Sequence, residues 1–172
     1  MRGRLALGLA LVALVAATAT AEERRQLEAH EHGHSSLDIA IECNRVAMEL
    51  RAPGADIVGF ERPAATEAER TAVAAAKAAL AEPLALFALS PVAGCKVAEA
   101  TVELDTGKGH TGFHAAYTLD CADPAALGAI DFAYFERFPN AQAVEVRLIS
   151  ERGQAIWEVE RAAPRLALGE LG

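Results

Sequence analysis

Residues 95–121 read CKVAEATVELDTGKGHTGFHAAYTLDC, and the alternation in this stretch decides the fold. Phe113, Ala115, Tyr117, Leu119 and Cys121 recur at every second position, with His114, Ala116 and Thr118 between them. That is the period of a strand with one buried face. Lys96–Leu104 is the predicted partner strand, joined to Thr111–Cys121 by a turn centred on Gly107-Lys108-Gly109. The midpoint of Cys95 and Cys121 is Lys108, so the two cysteines should face each other at the hairpin's base, within reach of a disulfide. Closing a loop of this length is worth about 3 kcal/mol in the chain-entropy model. Cys43 is then left over, either as a small, partly buried thiol or as an odd reactive cysteine.

The same period appears on both sides of this hairpin. Leu37, Ile39 and Ile41 alternate with Ser36, Asp38, Ala40 and Glu42, and Val46, Met48 and Leu50 follow after a turn at Cys43-Asn44-Arg45. Val144, Val146 and Leu148, a turn at Arg152-Gly153, then Ile156 and Val159 predict a third hairpin. Between the first two, Pro53-Gly54 closes a unit and Asp56–Phe60 reads as a short extended piece. Thr66 is an N-cap with Glu67 and Glu69 in the first turn, so a helix should run to about Ala81, with Val73, Ala76, Lys77 and Leu80 on one face. Pro83 ends it, and Leu84–Leu89 is an apolar segment. Ala125–Phe135 carries helix-like spacing at Leu127, Ile130 and Phe135. With no repeat and no long linker, the reading is one α+β domain: antiparallel hairpins forming a sheet, with about two helices.

The N-terminus reads differently. Arg2 and Arg4 precede an apolar run from Leu5 to Ala16, and Ala19-Thr20-Ala21 supplies a small-x-small cleavage pattern before Glu22. The run is shorter than the ~20 residues of a membrane span. Residues 1–21 are therefore expected to be a cleaved signal peptide, and residues 22–172 the mature domain. No cysteine stands at the cut to carry a lipid anchor, so a soluble protein of a bacterial periplasm is expected. Cysteine pairing fits that oxidising compartment. The chain has 16 basic and 24 acidic residues, a formal charge of −8, and losing Arg2 and Arg4 makes it two units more acidic. Such a surface repels nucleic acid and anionic lipid and attracts cations.

The candidate chemistry lies in the five histidines. His30, His32 and His34 alternate with Glu31 and Gly33 near the mature N-terminus, and an extended chain would turn all three rings to one side. His110 and His114 lie four apart on the second hairpin, opposite its apolar face if the strand is regular. Neutral imidazole is the commonest metal-ligating side chain, and zinc takes three or four such ligands. Glu31, Asp38 and Asp105 are candidate oxygen ligands. A metal is not needed for folding, since a domain this long buries roughly 68–70% of its unfolded surface. No His-Glu-x-x-His helix, nucleophile elbow or phosphate loop is present, so no enzyme is expected. Cu²⁺, which outranks Zn²⁺ for nitrogen ligands, and a structural or interaction domain with an incidental histidine run are the rival readings.

The ordered motifs Ala29-His30-Glu31-His32-Gly33, Asn44-Arg45, Pro53-Gly54-Ala55-Asp56-Ile57-Val58-Gly59-Phe60-Glu61, Cys95, His110-Thr111-Gly112-Phe113, Tyr117, Cys121, Phe138-Pro139 and Gly153-Gln154 resemble the ZrgA-like family of zinc-regulated periplasmic proteins. The resemblance covers nearly the whole mature chain. It implies zinc bound as cargo in the periplasm and support for the periplasmic component of a high-affinity zinc ABC importer. It also places His30, His32 and His110 at the family's motif histidines. Four departures stand out, one of them Gly112, which stands where an acidic residue commonly follows within the His110 motif. The second-hairpin loop is only Asp105-Thr106-Gly107-Lys108-Gly109, where many members carry a long histidine- and acid-rich insertion. Arg62 stands where a histidine usually follows Gly-Phe-Glu, and Cys43 where a turn glycine is usual.

Overall fold

The computed structural model describes residues 33–107 and 110–171. The expected signal peptide, His30, Glu31 and His32 lie outside the described residues.

In chain order the elements are β1 (His34–Glu42), β2 (Arg45–Pro53), α1 (Gly54–Val58), α2 (Glu67–Leu80), α3 (Pro83–Leu86), β3 (Phe87–Leu89), β4 (Lys96–Asp105), β5 (Gly112–Asp120), β6 (Ala129–Phe132), α4 (Tyr134–Arg137), β7 (Ala143–Ser150), β8 (Gly153–Glu160) and β9 (Arg165–Ala167). The three predicted hairpins stand side by side in a six-stranded sheet of order β4-β5-β2-β1-β7-β8. All neighbours are antiparallel except β1 and β7, which pair in parallel with Leu37 opposite Val146 and Ile39 opposite Leu148. A smaller antiparallel sheet has the order β3-β6-β9. The fold is α+β, with one long helix and three short ones among the described residues.

Alternation assigns the two faces of the large sheet. Leu37, Ile39, Ile41, Val46, Met48, Leu50, Phe113, Tyr117, Leu119, Val144, Val146 and Leu148 are all buried. They form one cluster with Leu80, Leu86, Phe87, Ile130, Phe132, Tyr134, Phe135 and Phe138 from the helices and the small sheet. Phe87, Phe132, Tyr134, Phe135 and Phe138 pack ring against ring, with centroids 5.1–6.2 Å apart. Tyr117 donates to the Leu80 carbonyl at 2.8 Å, tying the sheet to the end of α2, and burial pushes its phenol well above the ordinary range. The opposite face is open, with a hollow of about 940 Å³ floored by Ala40, Ala47 and Ala116.

Local signals explain most boundaries. Thr66 caps α2 by accepting from the Glu69 amide at 3.2 Å, while Glu69 accepts from the Thr66 amide at 2.9 Å. This reciprocal capping box satisfies two of the helix's orphan donors. Cys95 and Cys121 are disulfide-bonded, one step beyond the pair Lys96 and Asp120. Cys43 is exposed and holds φ 53, the left-handed conformation that favours glycine at this turn.

Three local expectations are corrected. Asp56–Phe60 is not extended, because residues 54–58 are helical and Gly59, at φ 84, closes the turn. Pro53 before the helix and a left-handed Gly59 after it are the relevant signals. Ala125–Phe135 is not one helix: a 3₁₀ turn (Pro124–Ala126), β6 and α4 divide it. Strand pairing with β3 and β9 overrides the helical spacing there. His110 is not on the strand, since β5 begins at Gly112.

Arg161 closes the cover over the core. Its guanidinium donates to the carbonyls of Phe135 at 2.7 Å, Phe138 at 2.8 Å and Ala141 at 2.9 Å, and lies 5.5 Å from the Phe135 ring centre. Phe135 belongs to the short α4, whose last carbonyls lack intrahelical partners, and Phe138 and Ala141 follow it in the loop to β7. Arg161→Ala should lower stability by about 2–3 kcal/mol, the scale of charge-assisted hydrogen bonds left unmade, as measured by urea unfolding. A second expectation concerns pH. The Arg62 guanidinium, then the Thr66 and Ala65 amides, hold the Glu69 carboxyl down at about 2. A depressed carboxyl stabilises the fold above its unfolded pKa and loses that effect as pH falls through the folded value. The Glu69 side-chain resonance should titrate near pH 2 and move up toward the ordinary glutamate range in Arg62→Gln.

Candidate metal centre

One short segment, residues 54–61, ties two histidine-bearing regions to the same end of the large sheet. On one side it grips Thr111. The Gly54 amide donates to the Thr111 carbonyl at 2.9 Å, and the Thr111 amide donates to the Glu61 carbonyl at 2.6 Å. A Cβ on Gly54 would fall 2.4 Å from the Thr111 oxygen and 2.5 Å from that of Phe60, so the approach requires glycine. His110, the preceding residue, is thereby held over Glu61, with Nδ1 3.4 Å from Oε2. Its ring is 69% exposed while Glu61 is 17% exposed, an accessible imidazole on a sunken carboxylate. A carboxylate at Nδ1 favours the tautomer whose Nε2 lone pair points away, the arrangement that orients metal-ligating histidines.

On its other side the segment grips Gly33. Asp56, in α1, is 1% exposed, and its Oδ1 accepts from the Gly33 amide at 2.8 Å. Oδ2 accepts from the Ser35 hydroxyl at 3.3 Å, and that hydroxyl lies 2.9 Å from the Tyr134 phenol, whose ionisation burial opposes. The Gly33 carbonyl accepts from the amides of Gln142 at 2.8 Å and Ala143 at 2.9 Å. Asn140 donates to the Ala55 carbonyl at 3.1 Å, adding a further tie to α1. His32 is the residue covalently next to this fixed point, and His30 lies two before it.

The remaining two histidines lie elsewhere. Gly33 has φ +89, a left-handed turn immediately before β1. His34 opens β1 with Nδ1 3.6 Å from Glu158 Oε1. His114 faces the open side of the sheet, as expected from its alternation with Phe113 and Ala115, and its Nε2 is 2.6 Å from Glu49 Oε1. It stands in a cross-strand row between Glu103 on β4 and Arg51 on β2. Arg51 pairs with Glu49 and Asp38, and Arg147 pairs with Asp38 at 2.6 Å. Asp38 is thus committed to arginines, and Asp105 accepts from the Gly107 amide in the turn. His34, His110 and His114 do not converge. Among the described residues no three His, Cys, Asp or Glu side chains are grouped to hold a metal.

Arg62, at the position of a family histidine, has structural work instead: it pairs with Glu69 and lies 5.3 Å from the Phe60 ring centre. Sequence reasoning passed over Glu49 and Asp56 as site residues. Glu49 was readable from alternation along β2, whereas the Asp56 contacts join residues 23 and 21 positions apart and have no local signal.

No helix among the described residues is long and apolar enough to cross a membrane, which leaves strand-built spans aside. Comparison with curated proteins finds no match. A family model described as "ZrgA family zinc uptake protein" matches residues 29–168. That span takes in the histidine run, both grips of the 54–61 segment and every strand from β1 to β9, and the chain therefore belongs to the ZrgA family of zinc uptake proteins.

Proposed function

We propose that the protein is a periplasmic zinc carrier. It takes up Zn²⁺ reversibly, without chemistry at the metal, and makes it available to the periplasmic component of a high-affinity zinc ABC importer. The observation that supports this reading most is the double grip of residues 54–61, which holds Gly33 through Asp56 and Thr111 through Gly54 and Glu61. The attachment point of His30 and His32 and the position of His110 are thereby fixed to one short segment in a zinc uptake family chain.

The proposed primary ligands are His30, His32 and His110, with Glu61 orienting the His110 ring or adding an oxygen. Imidazole donors on an accessible rim suit transfer, because a buried thiolate site would hold zinc too tightly to give it up. His34, at the start of β1, and His114, on the open face of β5, stand apart from residues 54–61 and offer separate binding with fewer ligands. Arg51 beside Glu49 makes the His114 position the poorer of the two, since a fixed cation repels an incoming dication.

Zinc titration of the mature protein, read by chelator competition and native mass spectrometry, tests this. His110→Ala and the pair His30→Ala with His32→Ala should each weaken the tightest site about tenfold or more, the usual cost of a lost ligand or its support. His114→Ala should leave that site within about twofold, since it lies outside the proposed set. Equal weakening by all three changes would argue for diffuse binding. Protons compete with metal for imidazole, so affinity should be flat from pH 8 to 7 and fall steeply below about pH 6.5. A profile flat down to pH 5 would rule out histidine ligation.

A further inference from the structure

The two edges of the large sheet are built differently. β4 is blunted: its register with β5 shifts between Val97 and Glu99, and Lys96, Glu99, Glu103 and Asp105 charge it along its length. A bulge and charged side chains are the usual devices that stop an edge from pairing with another chain. β8 has neither a bulge nor a proline, and it pairs with β7 in unbroken register from Ser150 opposite Gly153 to Ala143 opposite Glu160.

One hydrogen bond shows which backbone groups of β8 face outward. The Arg161 amide donates to the Gln142 carbonyl at 2.8 Å, one step beyond the pair Ala143 and Glu160. Bonded and non-bonded pairs alternate in an antiparallel ladder, so Gly153, Ala155, Trp157 and Val159 bond to β7, while Gln154, Ile156, Glu158 and Glu160 turn their amides and carbonyls to the free edge. The Glu160 carbonyl accepts from the Ala163 amide at 3.0 Å. Those of Gln154, Ile156 and Glu158 have no hydrogen-bond partner among the described residues. Ile156 is 67% exposed, and Ile149, its diagonal neighbour on β7, is 56% exposed on the same open face. Unpaired backbone beside exposed aliphatic side chains marks a surface that another strand can extend.

We propose that β8 is a dimer edge: it pairs with β8 of a second copy of this chain, antiparallel, about a two-fold axis at Ile156. In that register the strand is its own complement. Ile156 meets its own copy, Gln154 meets Glu158, Ala155 meets Trp157, and Arg152 in the turn meets Glu160 at each end. The Gln154 amide group donates to the Glu158 carboxylate, and Arg152 and Glu160 carry opposite charges. The neighbouring hydrogen-bonding registers set Ile156 against Gln154 or Glu158, so the apolar contact is lost on either side. Joining β8 to β8 also leaves only the two blunted β4 edges at the ends of the combined sheet. The assembly therefore closes at two copies instead of growing.

Sedimentation equilibrium of the mature protein in EDTA, which keeps zinc from bridging copies, tests this. A single pair of strands makes a small interface, so the mass should rise reversibly from monomer to dimer between micromolar and millimolar protein. Ile156→Lys sets like charges opposite each other at the axis and should weaken the dimer about tenfold or more. Its circular dichroism and thermal unfolding should stay at the wild-type values, because the side chain is exposed. Ala47→Arg, on the floor of the open-face hollow and three strands from the edge, should leave the dimer within about twofold. Cross-linking reads the register. With Cys43→Ser removing the exposed native thiol, Ile156→Cys should give a disulfide-linked dimer on mild oxidation, because hydrogen-bonded cross-strand Cα atoms lie about 5.5 Å apart, within disulfide reach. Ile149→Cys, also exposed but one strand further from the axis, should not cross-link. A monomer at every concentration would overturn the proposal and leave the edge to a different protein. A dimer that survives Ile156→Lys would also overturn it, and its loss in Ala47→Arg would seat the second copy on the open face instead. A dimer whose Ile156→Cys form does not cross-link would overturn the two-fold register, and the cross-link decides the matter where Ile156→Lys does not fold.

Discussion

A strand has two faces, and this molecule's large sheet commits one of them wholly to the core. Leu37, Ile39, Val46, Leu50, Tyr117, Leu119, Val144 and Val146 point one way along four adjacent strands, and each is buried. At about 25 cal/mol per Å² of apolar surface removed from water, this is the dominant favourable contribution, and it fixes register, because a slip of one residue would turn every one of these side chains to solvent. Everything polar has only two other places to go: the open face or the ends of the strands. His34 and His114 take the open face, among carboxylates and arginines. Gly33, His110 and residues 54–61 take one end, where loops replace strand geometry and groups distant in sequence are brought together.

That division separates two kinds of histidine. On the open face the rings stand at strand spacing, each with a glutamate, and Arg51 and Arg147 share the same surface. Such a surface is solvated and electrically mixed. At the strand ends the backbone is held by glycines whose missing Cβ permits close approach, Gly54 against Thr111 and Gly33 against Gln142. There the carboxylates of Asp56 and Glu61 are largely withdrawn from solvent, and the His110 ring is presented outward.

Much of the fold was legible because it is written locally. The three hairpins follow from period-two alternation, the Cys95–Cys121 bridge from its symmetry about the second turn, and α2 from Thr66 and Glu69. What was not legible depends on partners far away in the chain. The parallel pairing of β1 with β7 joins residues more than a hundred positions apart, as with Asp38 and Arg147, whose side chains pair 109 residues apart. β6 reads as helix until β3 and β9 are known to flank it. The site divides in the same way. The histidines and the glycine-rich motif at 54–59 could be picked out by eye, but the burial of Asp56 and its grip on Gly33 could not. His110 was expected on the strand and lies just before it, because β5 begins only at Gly112.

The central claim is that His110 and the N-terminal run serve one zinc ion. Zinc K-edge X-ray absorption on the mature protein loaded with one equivalent of Zn²⁺ tests it most directly, since the outer-shell scattering counts imidazoles. The account predicts a nitrogen and oxygen shell with several imidazoles in the wild type. At matched occupancy it predicts one imidazole fewer when His110 is replaced by alanine and fewer again without His30 and His32. An unchanged imidazole count in both variants, or sulfur in the first shell, would contradict it.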